Sequence, residues 1–342
     1  MKKIKFGNTG LNVSILAFGG IPIMRVSKTE AAKIVREAID LGINFIDTAN
    51  AYADSEEKIG EAIKGLRRED LVIATKSTAP DKKTFNEHLD LSLKQLGVDY
   101  IDIHQLHNVS SKEKRDAVLT PGGAMEGLEE AIKNGKVRFP GFSSHSVPLA
   151  IEIMKSGKFV SVQLPFNYID CEAAIEAIPL AKKMKIGFIA MKPLGGGLLH
   201  DAGLAFRYLA SFDSIVPDPG IEKIEELREI VALVEKNEAL SEGDKSEIEK
   251  QKVELGPSWC HRCDYCQPCP QGISISSVLS VKIIFKRMPL ARASSMVGGA
   301  LEKAKSCAEC GICVTRCPYH IDIPAQLKER INFWDSQTKA AQ

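Results

Sequence analysis

The sequence predicts an α/β protein in which a (β/α)8 TIM barrel is followed by a small, mainly α-helical domain. The first observation is that short apolar runs alternate with helix-like segments eight times over about 235 residues, which is the count for such a barrel. The second is length, because the 342 residues exceed the roughly 250 that one barrel needs. The third is that eight of the nine cysteines fall between Cys260 and Cys317. The cysteine-rich region is therefore predicted to be a domain of its own.

The eight predicted strands are nearly continuous apolar runs, as expected for parallel strands that are buried on both faces. They lie at residues 15–18, 44–47, 70–76, 100–104, 137–141, 161–164, 187–191 and 214–216. Helix-like sequence follows each run, beginning near residues 29, 56, 84, 125 and 147 after the first five. An open doubly wound sheet is the competing arrangement. It is disfavoured because no Gly-x-Gly-x-x-Gly motif follows the first strand, where only Gly19-Gly20 occurs.

Changes in composition divide the chain into four predicted segments. The barrel is assigned to residues 1–236 and a charged helical linker to 237–256, where Glu, Lys, Ser and Asp predominate. Gly256-Pro257 ends the linker, because helices rarely continue through such a pair. The cysteine-rich domain is assigned to residues 257–330 and a C-terminal tail to 331–342.

The charge balance argues against several classes of partner. Lys and Arg number 45 and Asp and Glu number 44, so the formal net charge is +1. Such a balance disfavours a nucleic-acid-binding or membrane-surface role. No run approaches the roughly 18 uncharged apolar residues of a membrane span, and the first residues lack the apolar segment of a secretory signal. We therefore expect a cytoplasmic protein that binds neither nucleic acid nor membrane.

The eight clustered cysteines form two motifs that each end in Cys-Pro. The second motif, from Cys307 to Pro318, is the bacterial ferredoxin pattern C-x2-C-x2-C-x3-C-P without alteration. In ferredoxins with two clusters, three closely spaced thiolates bind one cubane and the fourth cysteine binds the other. The same exchange here predicts two 4Fe-4S clusters, one at a first cluster site and one at a second. Their ligands are Cys260, Cys263, Cys266 and Cys317 for the first, and Cys307, Cys310, Cys313 and Cys269 for the second.

Two alternatives to iron–sulfur clusters stay open at this point. Structural zinc can be bound by paired cysteines, although it needs neither a third cysteine in each run nor a following proline. The first motif also has only Gln267-Pro268 before its last cysteine, one residue fewer than the ferredoxin pattern. Disulfides are disfavoured in a reducing compartment. Helix-like sequence at Ile275–Lys286 and Gly298–Lys305 indicates that this region is an α-helical ferredoxin-like domain.

Four polar residues follow the carboxyl ends of predicted barrel strands, where barrel enzymes place their chemistry. They are Asp47, Tyr52, Lys76 and His107. Each alone has an ordinary structural explanation, such as a helix cap or a solvated charge. Together they make chemical sense, because a Lys ammonium lowers the pKa of a neighbouring phenol, an Asp keeps the Lys charged, and a His orients a carbonyl oxygen. The set is therefore a candidate proton donor for carbonyl reduction.

These residues lie in motifs that resemble the aldo/keto reductase family. Residues 45–56, with Asp47 and Tyr52, are similar to the signature of that family, and Thr75-Lys76 and residues 101–107 match its Lys and His strands. The resemblance extends over roughly residues 3–235 and, with the cysteine motifs, points to the iron–sulfur subgroup. It implies an NAD(P)H-dependent oxidoreductase that reduces an aldehyde or ketone, with Tyr52 as the general acid.

The resemblance also implies contacts to a nicotinamide cofactor. In the family, a Ser-Asn pair after the fifth strand and a Gln on the sixth hold the nicotinamide amide; here Ser144 replaces the Asn. Met191 stands where the family commonly stacks an aromatic ring, and a Met can cover a ring face. The glycine-rich segment that follows offers backbone N–H groups to phosphate. The implied cofactor-binding residues are Ser143, Ser144, Gln163, Met191, Lys192, Pro193, Leu194, Gly195, Gly220 and Lys223.

The sequence leaves two questions about this chemistry open. The clear Arg expected for the 2′-phosphate of NADP(H) is missing unless Arg228 or Lys223 serves, so NADP(H) and NAD(H) are both retained. A hydride carries two electrons whereas a cluster accepts one, so we also expect a redox partner such as a flavoprotein or ferredoxin. The alternative function is an electron-transfer or redox-sensing protein whose barrel is a nucleotide-binding or docking module with little carbonyl turnover.

Overall fold

The computed structural model describes residues 1–340 and confirms the predicted barrel. A short antiparallel hairpin precedes eight parallel strands, which neighbour one another in chain order. The hairpin strands are β1 (Lys3–Lys5) and β2 (Asn12–Ser14), and the barrel strands are β3 (Ala17–Gly19), β4 (Phe45–Asp47), β5 (Val72–Ser77), β6 (Ile101–Leu106), β7 (Val137–Ser143), β8 (Ser161–Pro165), β9 (Gly187–Met191) and β10 (Ile215–Asp218).

The barrel closes where β10 returns to β3. Gly19 and Gly220 form a parallel bridge, and the Gly19 N–H donates to the Pro219 carbonyl oxygen at 2.9 Å. A Cβ on residue 19 would lie 2.6 Å from that oxygen, so the approach of the two strands requires glycine. The carboxyl ends of all eight strands consequently share one rim.

Helices follow the strands and cover the outer face of the barrel. Their bounds are α1 (Lys28–Asp40), α2 (Ser55–Ile63), α3 (Lys82–Leu96), α4 (Lys112–Leu119), α5 (Ala124–Lys133), α6 (Val147–Lys155), α7 (Ala177–Met184), α8 (Ala202–Ala210) and α9 (Ile224–Lys236). The Ser27 side chain caps α1 by accepting from the Glu30 N–H. Ile34 and Val35 of that helix are fully buried in the layer between helices and strands. The predicted helix after each strand is therefore confirmed, but α4 was not predicted, because its segment lacks an apolar periodic pattern.

The interior of the barrel has a separate apolar cluster, to which the hairpin contributes. Phe6, Leu11 and Val13 are buried with strand residues that point inward, including Phe45 of β4. The ring centroids of Phe6 and Phe45 lie 5.3 Å apart in an edge-on arrangement. The hairpin strands are only three residues long, which is too short for a periodic apolar pattern to predict them.

Two compact units make up the described chain. One comprises residues 1–195 and 199–240, and the other comprises residues 196–198 and those from 241 onward. The second unit is helical, as predicted, with its own apolar core that includes Val278 and Val297. Its helices are α10 (Glu242–Leu255), α11 (Ile275–Leu279), α12 (Val281–Arg287), α13 (Leu290–Ala304), α14 (Ile312–Arg316) and α15 (Ile323–Ala340).

The second unit differs from the sequence prediction in two places. The helix-like segment Ile275–Lys286 is divided into two helices at Ser280, whose hydroxyl donates to the Ser276 carbonyl oxygen. Residues 331–340, predicted as a tail, continue α15, and Trp334 is buried in the core of this unit. Residues 341–342 of the predicted tail lie outside the described residues. None of the helices within residues 1–340 is long and apolar enough to cross a membrane.

Candidate active site and cysteine cavities

The rim of the barrel buries an ion pair between two of the four predicted catalytic residues. Asp47 ends β4 and Lys76 lies on the neighbouring strand β5, and their side chains are 3% and 2% exposed. The Lys76 ammonium contacts the Asp47 carboxylate and donates to the Thr48 carbonyl oxygen at 2.6 Å. These bonds fix the position of the ammonium without any ligand.

The charge of Lys76 follows from its surroundings. Burial by itself lowers the pKa of the Lys76 ammonium, but the negative charge of Asp47, with Tyr52 and Asp218, outweighs it and leaves the pKa raised. Lys76 therefore stays protonated at neutral pH. A fixed cation at this place favours the phenolate form of the nearby Tyr52.

Tyr52 and His107 complete the predicted group of four. The Lys76 ammonium lies 5.3 Å from the centroid of the Tyr52 ring, and the Tyr52 and His107 rings meet edge-on at 5.7 Å. Burial, together with the positive charge of Lys76 and other lysines, lowers the pKa of His107 to about 3. His107 is therefore a neutral imidazole near pH 7. It can orient a carbonyl oxygen through one N–H, but it is not a source of protons.

A further carboxylate, absent from the group of four predicted from the sequence, belongs to the same rim. Asp218 ends β10 and accepts a hydrogen bond from the Gln163 Nε2 at 2.9 Å. The same Nε2 lies 3.4 Å from Asp47. The Gln163 Oε1 is buried and has no partner among the described residues. The position of Asp218 at a strand's carboxyl end was a sequence signal that could have identified it.

The loops after β6 and β7 are joined by a polar network around the predicted nicotinamide contacts. The Ser143 Oγ accepts from the Asn108 N–H at 2.9 Å, and the Ser144 Oγ accepts from the Ser146 N–H at 3.0 Å. His145 lies 3.1 Å from the Asn108 Oδ1 through its Nδ1. Both serine hydroxyls are therefore placed by contacts within the protein.

The segment after β9 reaches the same network. The Lys192 Nζ lies 2.7 Å from the His145 Nε2, and the Lys192 carbonyl oxygen accepts from Asn167. Lys192 adopts a φ of +59°, and Gly195 adopts +57°. His145 and Asn167 had no sequence signal, because their partners are distant along the chain.

The remaining predicted cofactor residues occupy two places. Pro193 and Leu194 follow Lys192 on the same segment, and Leu194 packs against the apolar core. Gly220 belongs to the barrel closure, and Lys223 directly precedes α9. Arg228, the other candidate for a 2′-phosphate, is ion-paired with Glu37 at 2.7 Å.

The eight clustered cysteines surround two cavities in the second unit. All four predicted ligands of the first cluster site line one cavity, which His261 and Tyr319 also border. All four predicted ligands of the second site line another. Both cavities are partly open to solvent, and Cys266 borders both. Cys269 and Cys317 each border the cavity of the other motif, and their assignment as cluster ligands stays a prediction.

The chemistry of the cavities suits clusters better than single metal ions. Within residues 1–340, no three His, Cys, Asp or Glu side chains converge closely enough to hold one ion. A zinc site needs ligands about 2.3 Å from one centre, whereas a cubane fills a larger space between them. Burial raises the pKa of Cys260 to about 11 and that of Cys266 to about 12. Thiolates at these positions therefore need a cationic group such as iron between them.

Comparison with known proteins decides the family. The model of the aldo/keto reductase family matches residues 15–206, more than half of the chain. The chain belongs to the aldo/keto reductase family. A 4Fe-4S dicluster domain matches residues 259–322 of this aldo/keto reductase, which confirms both parts of the resemblance seen in the sequence.

Individual relatives agree with the family assignment. The aldo/keto reductase is 32% identical over 218 residues to the uncharacterised oxidoreductase YqkF of Bacillus subtilis, covering 60% of this chain and 68% of that one. It is 30% identical to an L-galactose dehydrogenase of Arabidopsis thaliana, in an alignment that covers 58% of this chain and 66% of that protein. The holo form of the aldo-keto reductase AKR11C1 from Bacillus halodurans superposes with a TM-score of 0.64 at 27% identity. The superposition covers 73% of this chain and 96% of that chain.

Proposed function

We propose that the barrel reduces an aldehyde or ketone with NADP(H) or NAD(H), and that Tyr52 donates the proton. The observation that carries this proposal is the convergence of Tyr52, His107 and the buried Lys76–Asp47 pair at one rim. A raised pKa on Lys76 and a lowered pKa on His107 give one fixed cation and one neutral hydrogen-bond donor beside the phenol. This is the charge distribution that proton donation to a carbonyl requires.

Each residue has a defined part in this reaction. When bound, the reduced nicotinamide supplies a hydride, which is two electrons and one proton, to the carbonyl carbon. Tyr52 transfers its phenolic proton to the carbonyl oxygen, and the Lys76 ammonium stabilises the phenolate that remains. His107 donates a hydrogen bond to the same oxygen and so orients the substrate. Asp47 is a positioning residue, because it holds Lys76 charged and in place.

The predicted cofactor residues fit a nicotinamide. The buried Gln163 Oε1 lacks a partner among the described residues, and a carboxamide N–H can donate to it. We assign the carboxamide to Gln163, Ser143 and Ser144, and one ring face to Met191. We assign phosphates to the Lys192–Gly195 segment and to the Gly220–Lys223 region at the start of α9.

Carbonyl-dependent oxidation of NADPH and NADH by the purified, anaerobic full chain tests the assignment. A panel of aldehydes and ketones should give turnover, and Tyr52→Phe should reduce kcat by roughly 10²- to 10⁴-fold while cofactor binding persists. Tyr100→Phe serves as the matched control, because Tyr100 stacks with Arg68 away from this rim. Turnover that is unchanged by Tyr52→Phe would contradict the role of Tyr52.

We also propose that the cysteine cavities bind two 4Fe-4S clusters that exchange electrons with a partner protein. Each cluster, when bound, accepts or donates one electron at a time. Because a hydride carries two electrons, exchange with the nicotinamide requires a flavin-like intermediary, so we expect a flavoprotein or ferredoxin as the partner. Such a ligand set suits a reducing compartment such as the cytoplasm. The expected content is about eight iron and eight acid-labile sulfide per chain; zinc without sulfide would refute it.

A second candidate function is electron transfer or redox sensing with little carbonyl turnover. The observation that favours it is that Ser143, Ser144 and Lys192 are already bonded within the protein, so a nucleotide must displace or share these contacts. Anaerobic titration with NADPH, with a flavin added as the one-electron intermediary, distinguishes the two functions. Reduction of the clusters without turnover of any carbonyl would favour this candidate, whereas carbonyl turnover would favour the reductase.

A further inference from the structure

Asp218 is a second buried carboxylate beside the cation of the candidate active site. It is 7% exposed, and its Oδ2 accepts from the Gln163 Nε2 at 2.9 Å. In the strand register, Asp218 is paired with Met191 of β9. Asp218 thus lies beside the two side chains to which we assign the carboxamide and one face of the nicotinamide ring.

Two carboxylates and one ammonium face one another at the floor of this rim. Asp47 and Asp218 each carry one negative charge, and Lys76 carries the positive charge that faces them both. His107 is neutral, and Lys192 is held at the rim by His145. The Lys76 cation and the Gln163 N–H both face the Asp218 carboxylate. Asp47, Lys76 and Asp218 together therefore carry a net charge of −1.

We propose that the Asp218 carboxylate stabilises the positive charge of the oxidised nicotinamide ring and thereby favours carbonyl reduction over alcohol oxidation on this protein. The inference rests on the proposed function, because it requires a nicotinamide at this rim. The overall change converts a carbonyl, NAD(P)H and a proton into an alcohol and NAD(P)+. Donation of the hydride leaves the ring with one positive charge, and a nearby anion lowers the free energy of that state.

The size of the effect follows from the burial of the site. Two unit charges separated by several ångströms in a medium of effective dielectric constant near 20 interact strongly enough to change an equilibrium by about tenfold or more. A protein that binds the oxidised form more tightly makes the bound reduced form a stronger hydride donor. The ratio of the two dissociation constants, for NADPH and for NADP+, therefore measures the effect without any turnover.

The test uses the full-length protein purified anaerobically, titrated with NADP+ and NADPH separately by calorimetry, and with NAD+ and NADH if those bind more tightly. Asp218→Asn removes the charge and retains an oxygen that accepts from Gln163. We expect this variant to raise the dissociation constant for NADP+ by about tenfold or more, and to change the dissociation constant for NADPH much less. Asp218→Glu, which retains the charge, should restore most of the preference. Asp213→Asn is the control, since Asp213 is exposed and pairs with Lys182.

Three results would overturn the inference, and they differ from failure of the proposed function. A ratio that is unchanged in Asp218→Asn would show that the carboxylate does not act on the ring. Equal weakening of both nucleotides would show that Asp218 only supports the structure of the site. The same change of this ratio in Asp213→Asn would show that the effect does not depend on a charge beside the nicotinamide. If the unaltered protein binds neither nucleotide, the proposed function itself fails.

Discussion

The barrel rim and the cysteine cavities both gather reactive side chains, but they differ in what holds those side chains in place. At the rim, Asp47, Lys76 and Gln163 are joined to one another by hydrogen bonds and an ion pair. In the second unit, Cys266 and Cys317 are buried members of an apolar core, yet their side chains border cavities instead of bonding to other protein groups within residues 1–340 that fix them. The barrel site is therefore preorganised by the polypeptide, whereas the second unit needs a cofactor to complete its interior.

The largest expected effect is that of iron removal on the stability of the second unit. Anaerobic removal of iron by a chelator should unfold residues from 241 onward, because their core then surrounds two empty spaces lined by thiols. The barrel should retain its own thermal transition. Limited proteolysis followed by mass spectrometry should place the new cleavage sites after residue 240.

Two variants control this experiment. Cys317→Ser should lose the absorbance of the first cluster and give the same cleavage pattern, whereas Cys171→Ser should change neither, because Cys171 borders neither cavity. A second unit that stays protected after complete loss of iron would show that the polypeptide alone holds it together.

A smaller but still large effect is expected when the preorganised site loses its cation. Lys76→Met leaves Asp47 and Asp218 buried without the ammonium that faces both. We expect kcat to fall by roughly 10²- to 10⁴-fold, and the apparent pKa of Tyr52 in the pH–rate profile to rise, since the phenolate loses its partner.

Lys182→Met provides the comparison for that variant, because Lys182 forms an exposed pair with Asp213. Lys182→Met should change neither kcat nor the pH–rate profile. Retention of full activity in Lys76→Met would mean that the buried ion pair is structural.

The pH dependence of stability should separate the two units further. The folded pKa of His107 is about 3, below its ordinary value near 6.5, because the neutral ring is buried. Its contribution to stability is present above pH 6.5 and is lost as the pH falls toward 3. The barrel transition, followed by denaturant titration, should weaken over this range by up to about 1.4 kcal/mol per pH unit for this group.

His107→Asn should reduce that slope, because the variant has no ring to protonate on unfolding. The exposed His200→Asn should retain it. An unaltered slope in His107→Asn would indicate that His107 does not titrate differently in the two states.

The smallest effect is expected at a helix end in the second unit. Ser241 caps α10 and forms a capping box with Asp244. Ser241→Ala should lower the free energy of unfolding of that unit by about 1 kcal/mol and leave the barrel transition unchanged. The exposed Ser336→Ala, in α15 and not at a cap, should cost less. Equal losses of unfolding free energy in the two variants would show that the cap itself does not stabilise the unit.

Periodicity and motifs predicted those parts of the molecule that local sequence determines. The order of strands and helices is confirmed, as is the 4Fe-4S domain, because apolar runs and cysteine spacing are local properties. The convergence of Asp47 and Lys76 at one rim could be predicted, because parallel strands present their carboxyl ends together. The roles of the individual site residues stay predictions that the experiments above test.

Long-range contacts account for what the sequence did not reveal. The hydrogen bond between Asp218 and Gln163 joins residues of β10 and β8, and the sequence around neither residue predicts this contact. The contact between Lys192 and His145 likewise depends on how two loops meet. The break at Ser280 lies within a sequence that is helix-like on both sides, so periodicity could not place it.

The closure of the barrel through Gly19 and Gly220 has a consequence for synthesis of the chain. This bridge joins residues about 200 positions apart, so the sheet cannot close until β10 has left the ribosome. All eight cluster cysteines follow β10 in the sequence. The cluster cysteines therefore emerge after every strand of the barrel, so the barrel is already able to fold before these cysteines can assemble a cluster site.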